Sequence, residues 1–223
     1  RQTEVLQAPE FLELPTSMEI MSALEWAQMG EIVAISCAPG TSKTSTAEEY
    51  RRRYPNVWLA TMSPSSSGVQ PMLTGVLDAM GDAEAKGSPQ QLSRRVMKIA
   101  ANSGGLFIID EAQELSEKAI DEIRSWYDKT GVGVALMGDE RVNGRLGGHK
   151  RSELARLQSR ISYKVVKARP TLADADLLIE GWGITDPAAV KFLRGLHAKP
   201  GGLRGIAKTI KLAALIARGE GRA

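Results

Sequence analysis

Five short apolar runs alternate with longer stretches of helical pattern, and few folds accept that order. The runs are 31–37 EIVAISC, 57–62 VWLATM, 105–110 GLFIID, 132–138 VGVALMG and 161–167 ISYKVVK. Between them the apolar spacing predicts helices near 43–53, 69–80, 89–101, 116–129 and 152–160. Strands joined by crossover helices pair in parallel and are covered on both faces, which demands the near-continuous apolarity of the first, third and fourth runs. The expected fold is therefore α/β, a parallel five-stranded sheet flanked by helices. After Pro170 the strands stop. TLADADLLIEGWG, DPAAVKFLRGLHA and GGLRGIAKTIKLAALIARG read as three successive helices, the second opened by Asp186 as N-cap with Pro187 at the first helical position. The expected organisation is a lead-in segment (1–30), an α/β unit (31–169) and a small, basic, all-helical unit (170–223). The Ser-, Pro- and Gly-rich stretches 63–68 and 81–89 are expected loops.

Composition narrows function by exclusion. Of 223 residues 43% are apolar and 25% charged, the balance of an ordinary globular chain. No apolar run approaches the roughly 20 residues that a bilayer span needs, so no membrane partner is expected. One cysteine and two distant histidines, His149 and His197, leave neither a disulfide framework nor a zinc set. With no secretory apolar region at the N-terminus, a reducing, cytoplasmic setting is expected. Arg1 stands where an initiator Met would, as in a piece of a longer chain. The net charge is only +3, yet residues 191–223 hold eight Lys/Arg against Glu220 alone, leaving the tail at +7 and the remainder at −4. Such asymmetry suits an end that faces a polyanion; a solvated helix face has the same composition.

Two motifs carry chemistry. The stretch 37–46, CAPGTSKTST, follows a strand and opens a helix, the setting in which backbone N–H groups and a helix dipole receive phosphate. Against the pattern G-x-x-x-x-G-K-[ST], Lys43 and Thr44 are in place, but Cys37 and Ser42 replace both glycines. Cys37 ends the strand and tolerates the change. Ser42 costs about 1–2 kcal/mol if it must turn left-handed. The phosphate-binding candidates are Pro39, Gly40, Thr41, Ser42, Lys43, Thr44 and Ser45, and the competing reading is a plain Gly-Thr-Ser turn. The second motif, 106–111 LFIIDE, sets two acids at the carboxyl end of a buried strand, where parallel sheets hold ligands. Asp110, with the Thr44 hydroxyl, is the candidate Mg²⁺ ligand, and Glu111 the candidate general base or water-orienting group. Alone, Asp-Glu could simply open a helix; beside a phosphate loop it reads as part of an ATP site.

Taken in order, APGTSKT, LFIIDEAQ, VALMGD, ARLQSRIS and GGLRGIAKTIK resemble an AAA+ ATPase, in the branch of transposition target selectors of the Mu type. The lead-in EFLELPTSMEIMSALEWAQMGEIVAISC looks like that branch too, so the resemblance covers about residues 10–217. It implies ATP and Mg²⁺ as cofactors and the phosphate, metal and base roles given above. It also implies an arginine finger at Arg160, with Arg156 as its substitute, and a second phosphate sensor at Arg204. Asp139 falls where relatives place a neutral sensor such as Asn, and a carboxylate there repels phosphate unless it is protonated or turned away. A finger supplied by a neighbour requires head-to-tail assembly into a ring or helical filament. The implied partners are double-stranded DNA, further copies of the chain and a DDE-type transposase; such relatives carry a DNA-binding domain ahead of this core.

Candidate DNA contacts are Lys86 in loop 81–89, Arg141, Arg145, Lys150 and Arg151 in the Gly-containing stretch 141–151 RVNGRLGGHKR, and Lys208 and Lys211 in the basic tail. A structural or inter-subunit role for 141–151 stands beside that reading. Aromatics do not interleave with these cations, so a phosphate-dominated, sequence-tolerant duplex grip is expected. Two other functions remain open at this point. One is a different AAA+ role, such as a helicase loader or secretion-associated ATPase. The other is a nucleotide-binding scaffold without hydrolysis, against which Glu111 argues, since a pure binder has no use for a water-polarising acid.

Overall fold

Side chains alternate across a strand, so a sheet that is apolar on both faces must be covered twice. The computed structural model, which describes residues 11–146 and 156–220, shows both covers. The strands are β1 (Ile32–Cys37), β2 (Val57–Thr61), β3 (Leu106–Asp110), β4 (Gly133–Gly138) and β5 (Ile161–Lys167), in the order β2-β3-β4-β1-β5. Every pairing is parallel. From β1, Ile32 and Ala34 face one layer with Phe107, Ile109 and Leu136, under α3 (Val69–Ala79), α4 (Pro89–Ala100) and α5 (Glu117–Thr130). Val33 and Ile35 face the other with Ile108 and Ala135, under α1 (Pro15–Gln28) and α2 (Lys43–Arg53). Trp126, fully buried and tilted against Phe107, anchors the first layer.

Local chemistry sets the helix starts. Ser88 caps α4 with Gln91 in a reciprocal box and Pro89 at the first position. Beyond the sheet, α7 (Leu172–Gly181), α8 (Pro187–Arg194) and α9 (Gly202–Gly219) build a third core from Ala175, Ile179, Trp182, Leu193, Leu203, Ile206 and Ile210. Asp186 caps α8 through Ala189 N at 2.7 Å, as its Asp-Pro pair predicts. No helix among the described residues is long and apolar enough to cross a membrane.

The lead-in segment and residues 141–146 hold helices that were not placed from the sequence. The lead-in holds a full helix, α1, and its Leu14 joins the third core while Ile20 and Leu24 join the second. The first residues of the Gly-containing stretch 141–151 lie in α6 (Glu140–Leu146). The cause is a cap and a pin: Asp139 Oδ1 accepts the Arg141 backbone N–H at 2.9 Å, and Val142 is buried. Of the helix expected at 152–160, residues 152–155 lie outside the described residues, and 156–158 are helical.

The topology places the site. The strand order switches sides at β1, since β2, β3 and β4 lie on one side of it and β5 on the other. The crevice at the carboxyl ends of β1 and β4, with β3 beside them, is where such sheets take ligands.

Candidate nucleotide site

The phosphate loop is built from the turn that β1 is forced to make. Cys37 closes the strand, and the Thr41 hydroxyl donates to Ala38 O at 2.8 Å, tightening the loop. Ser42 has φ 64° and ψ 15°, the left-handed conformation for which the usual glycine is suited. Its carbonyl accepts three donors that hold it there: Thr46 N at 2.9 Å, Thr46 Oγ1 at 2.7 Å and Ser45 Oγ at 2.9 Å. Lys43 then starts α2 at the rim of the pocket.

Beneath the loop the two acids gather. Lys43 Nζ lies 3.3 Å from both Asp110 Oδ1 and Glu111 Oε1. Thr44 Oγ1 donates to Asp110 Oδ2 at 2.8 Å, and the Glu111 N–H to Asp110 Oδ1 at 2.9 Å. Glu111 is itself left-handed, φ 55° and ψ 38°, so that the chain turns off β3 with its carboxylate toward Lys43. Two carboxylates, one ammonium and one hydroxyl leave a net −1 of hard oxygen donors, a set that fits Mg²⁺. Burial pushes the Cys37 thiol up to about 11, against an opposing pull from Lys43, so it stays protonated at neutral pH.

The roof comes from the helical part. A cavity of about 510 Å³ is lined by the loop, Glu111 and Asp139 below, and by Leu178, Leu203, Arg204 and Ala207 above. Leu203 N donates to Gly40 O at 3.0 Å, so α9 begins directly on the phosphate loop. The approach is close: Gly40 has φ 82°, and a Cβ there would sit 2.0 Å from Gly201 O. Arg204 is exposed and faces this cavity. Polar loop and Arg204 at one part, apolar Leu178, Leu203 and Ala207 at another, match a phosphate chain and a flat base.

Asp139 also lines the cavity, but its charge is answered. Arg141 Nε lies 2.9 and 3.1 Å from its two carboxylate oxygens, and the same guanidinium reaches Glu114 at 3.2 Å. The repulsion expected of an acid at this position is thus offset by an ion pair that the sequence did not reveal. Arg141, proposed above for DNA, is engaged at the rim of the nucleotide cavity.

Arg160 precedes β5, whose first residue pairs with the first residue of β1, so it stands at the sheet edge opposite the phosphate loop. A strand of six residues puts it roughly 20 Å from that loop. It donates instead to Asp128 at 2.6 Å and to the Arg156 carbonyl at 2.8 Å. Lys86, Lys208 and Lys211 are exposed, the last over the Trp182 ring at 5.9 Å. Lys150, Arg151 and the Arg145 side chain lie outside the described residues. Reading the sequence missed Gln113, buried between Glu111 and Asp139; its place after the Asp-Glu pair was the available signal.

The order of these parts agrees with comparisons against known proteins. An AAA domain matches residues 28–146, and the domain described as "Mu B transposition protein, C terminal" matches 159–223. The ATP-dependent target DNA activator B of Escherichia phage Mu is 34% identical over 98% of this chain and 70% of its own length. The chain belongs to the Mu B family of AAA ATPases. A Mu-like prophage DNA transposition protein B from Haemophilus influenzae is 33% identical over 92% of the chain and 73% of the relative. Among solved structures, Cdc6p from Pyrobaculum aerophilum superposes with a TM-score of 0.67 at 12% identity, over 97% of this chain and 65% of that one. The Aeropyrum pernix ORC1 protein gives 0.65 at 17%, over 96% and 62%. At such identities the two share the fold alone, and the chain spans less than two thirds of either. Membership in this family makes the chain an ATPase.

Proposed function

We propose that this Mu B-family ATPase binds duplex DNA in its ATP state without strong sequence preference, assembles on it head-to-tail as a filament, and presents that DNA to a DDE-type transposase in the bacterial cytoplasm. The observation that carries the reading is the backbone bond from Leu203 to Gly40. It joins the phosphate loop to α9, the helix that bears Arg204, Lys208, Lys211 and Arg218, so the state of the nucleotide bears directly on a basic helix. The names of the relatives, which speak of ATP dependence, target DNA and transposition, support the same direction.

The chain's own groups define the chemistry. Lys43, now shared between two carboxylates, turns to the β- and γ-phosphates when ATP enters, which frees Glu111 to orient the attacking water. Thr44 and Asp110 would hold Mg²⁺, which when bound neutralises charge on the transferred phosphoryl group. Arg204 reaches the phosphates from above, and Arg160 of one copy completes the site of the next. Arg141 offsets the Asp139 charge where it lines the cavity.

Lys43→Ala tests the coupling. ATP binding and ATP-dependent DNA binding are both lost if the reading holds, whereas unchanged DNA affinity in the variant would refute it. The surface is tested by a salt titration of DNA affinity with ATP present. Lys208→Ala with Lys211→Ala should lower the slope of log K against log salt by about 0.9 per lost phosphate contact; an unaltered slope removes α9 from the DNA-facing side.

A further inference from the structure

The 3-10 turn Ala112–Glu114 after β3 brings a buried amide between the two walls of the ATP site. Gln113 is 7% exposed. Its Nε2 donates to Glu111 Oε2 in a short hydrogen bond, and its Oε1 accepts the Asp139 backbone N–H at 3.4 Å. The second bond is long, but it fixes which end of the amide faces which partner: only nitrogen can donate to the carboxylate, and only oxygen can accept from the backbone. The neighbouring strand is shaped to the same purpose. Gly138, the last residue of β4, has no side chain where one would meet Gln113 Oε1 at 2.0 Å. Room for the amide is therefore part of the strand end.

We propose that Gln113 is a positioning residue for hydrolysis: it fixes the Glu111 carboxylate against the end of β4 and thereby sets the direction from which that carboxylate meets the attacking water. Glu111 has two oxygens and two holders. Lys43 takes Oε1 and Gln113 takes Oε2. When Lys43 turns to phosphate, Gln113 alone remains among these to define the rotamer of a side chain on a left-handed backbone with 40% of its side chain exposed. A general base misplaced by an ångström loses most of its effect. Gln113 does not line the ATP cavity, so it acts through Glu111 and not on the nucleotide.

The test is steady-state ATP hydrolysis by the full chain with duplex DNA, together with ATP affinity by calorimetry. Gln113→Leu, of similar size and without polar atoms, should lower kcat by about 10- to 100-fold and leave ATP affinity within about threefold. In a Glu111→Gln background the same change should add nothing. Wild-type kcat in Gln113→Leu, equal loss of kcat and affinity, or full additivity with Glu111→Gln would overturn the assignment. Should Gln113→Leu fail to fold, Gln113→Met, unbranched and of similar length, decides by the same readouts. Wild-type kcat in that variant would show that Gln113 only fills space.

Discussion

Ser42 carries the left-handed turn of the phosphate loop without help from its side chain, which makes no capping bond. A Cβ in that conformation costs about 1–2 kcal/mol, and the three donors on its carbonyl are what keep it there. Ser42→Gly removes the strain but returns some flexibility to the unfolded chain, worth about 0.5–1 kcal/mol. A net gain of up to about 1 kcal/mol in urea unfolding should result, with ATP affinity little changed; a lowered midpoint would show that the left-handed turn is not strained. Glycine at this place is a convenience of the family pattern, and the chain reaches the same geometry by bracing the carbonyl.

Among elements, α1 does most to join the parts of the molecule. Thr16 on α1 donates to the buried Asp174 on α7 through its backbone N at 2.9 Å and its hydroxyl at 2.6 Å, and Thr171 adds its N–H at 2.7 Å and hydroxyl at 2.8 Å. Burial alone would raise the Asp174 carboxyl, but these bonds outweigh it and hold the pKa below the usual value. A depressed carboxyl stabilises the fold above its unfolded pKa and loses that contribution as pH falls through the folded value. Asp174→Asn should therefore cost about 2–3 kcal/mol at pH 7, and the gap to wild type should narrow below roughly pH 4. Equal gaps in urea unfolding at pH 7 and pH 3 would remove the charge from the account. This tie was not legible in the sequence, because Thr16 and Asp174 are partners across 158 residues. The strands were legible to within a residue or so at each end: β1, β3 and β4 because burial on both faces leaves an unbroken apolar run, and the mostly exposed β5 from its β-rich composition. So was the meeting of Lys43, Thr44, Asp110 and Glu111, which short motifs place at strand ends. The Asp139–Arg141 pair and the Gln113 bridge were not, for they depend on which strand ends lie side by side.

At the scale of the whole molecule, the phosphate loop and the candidate arginine finger occupy opposite strand ends of one sheet. Arg160 stands before β5 and the phosphate loop after β1, so no motion short of unfolding lets a chain supply its own finger. Two defects on different chains should therefore complement each other. Arg160→Ala should leave ATP binding intact and lower hydrolysis by about 10³-fold or more, the range of fingers acting in trans. Lys43→Ala should fail to hold ATP yet keep its finger. Mixed at equal concentration, the two variants create contacts in which an intact pocket faces an intact finger, and random pairing makes these about a quarter of all contacts, against none in either variant alone. Hydrolysis by the mixture well above that of both parents, rising with protein concentration, is the expected outcome. A mixture no more active than its parents, in protein that still binds ATP through the Arg160→Ala chain, would exclude Arg160 as the residue that passes between copies and return it to its local pair with Asp128.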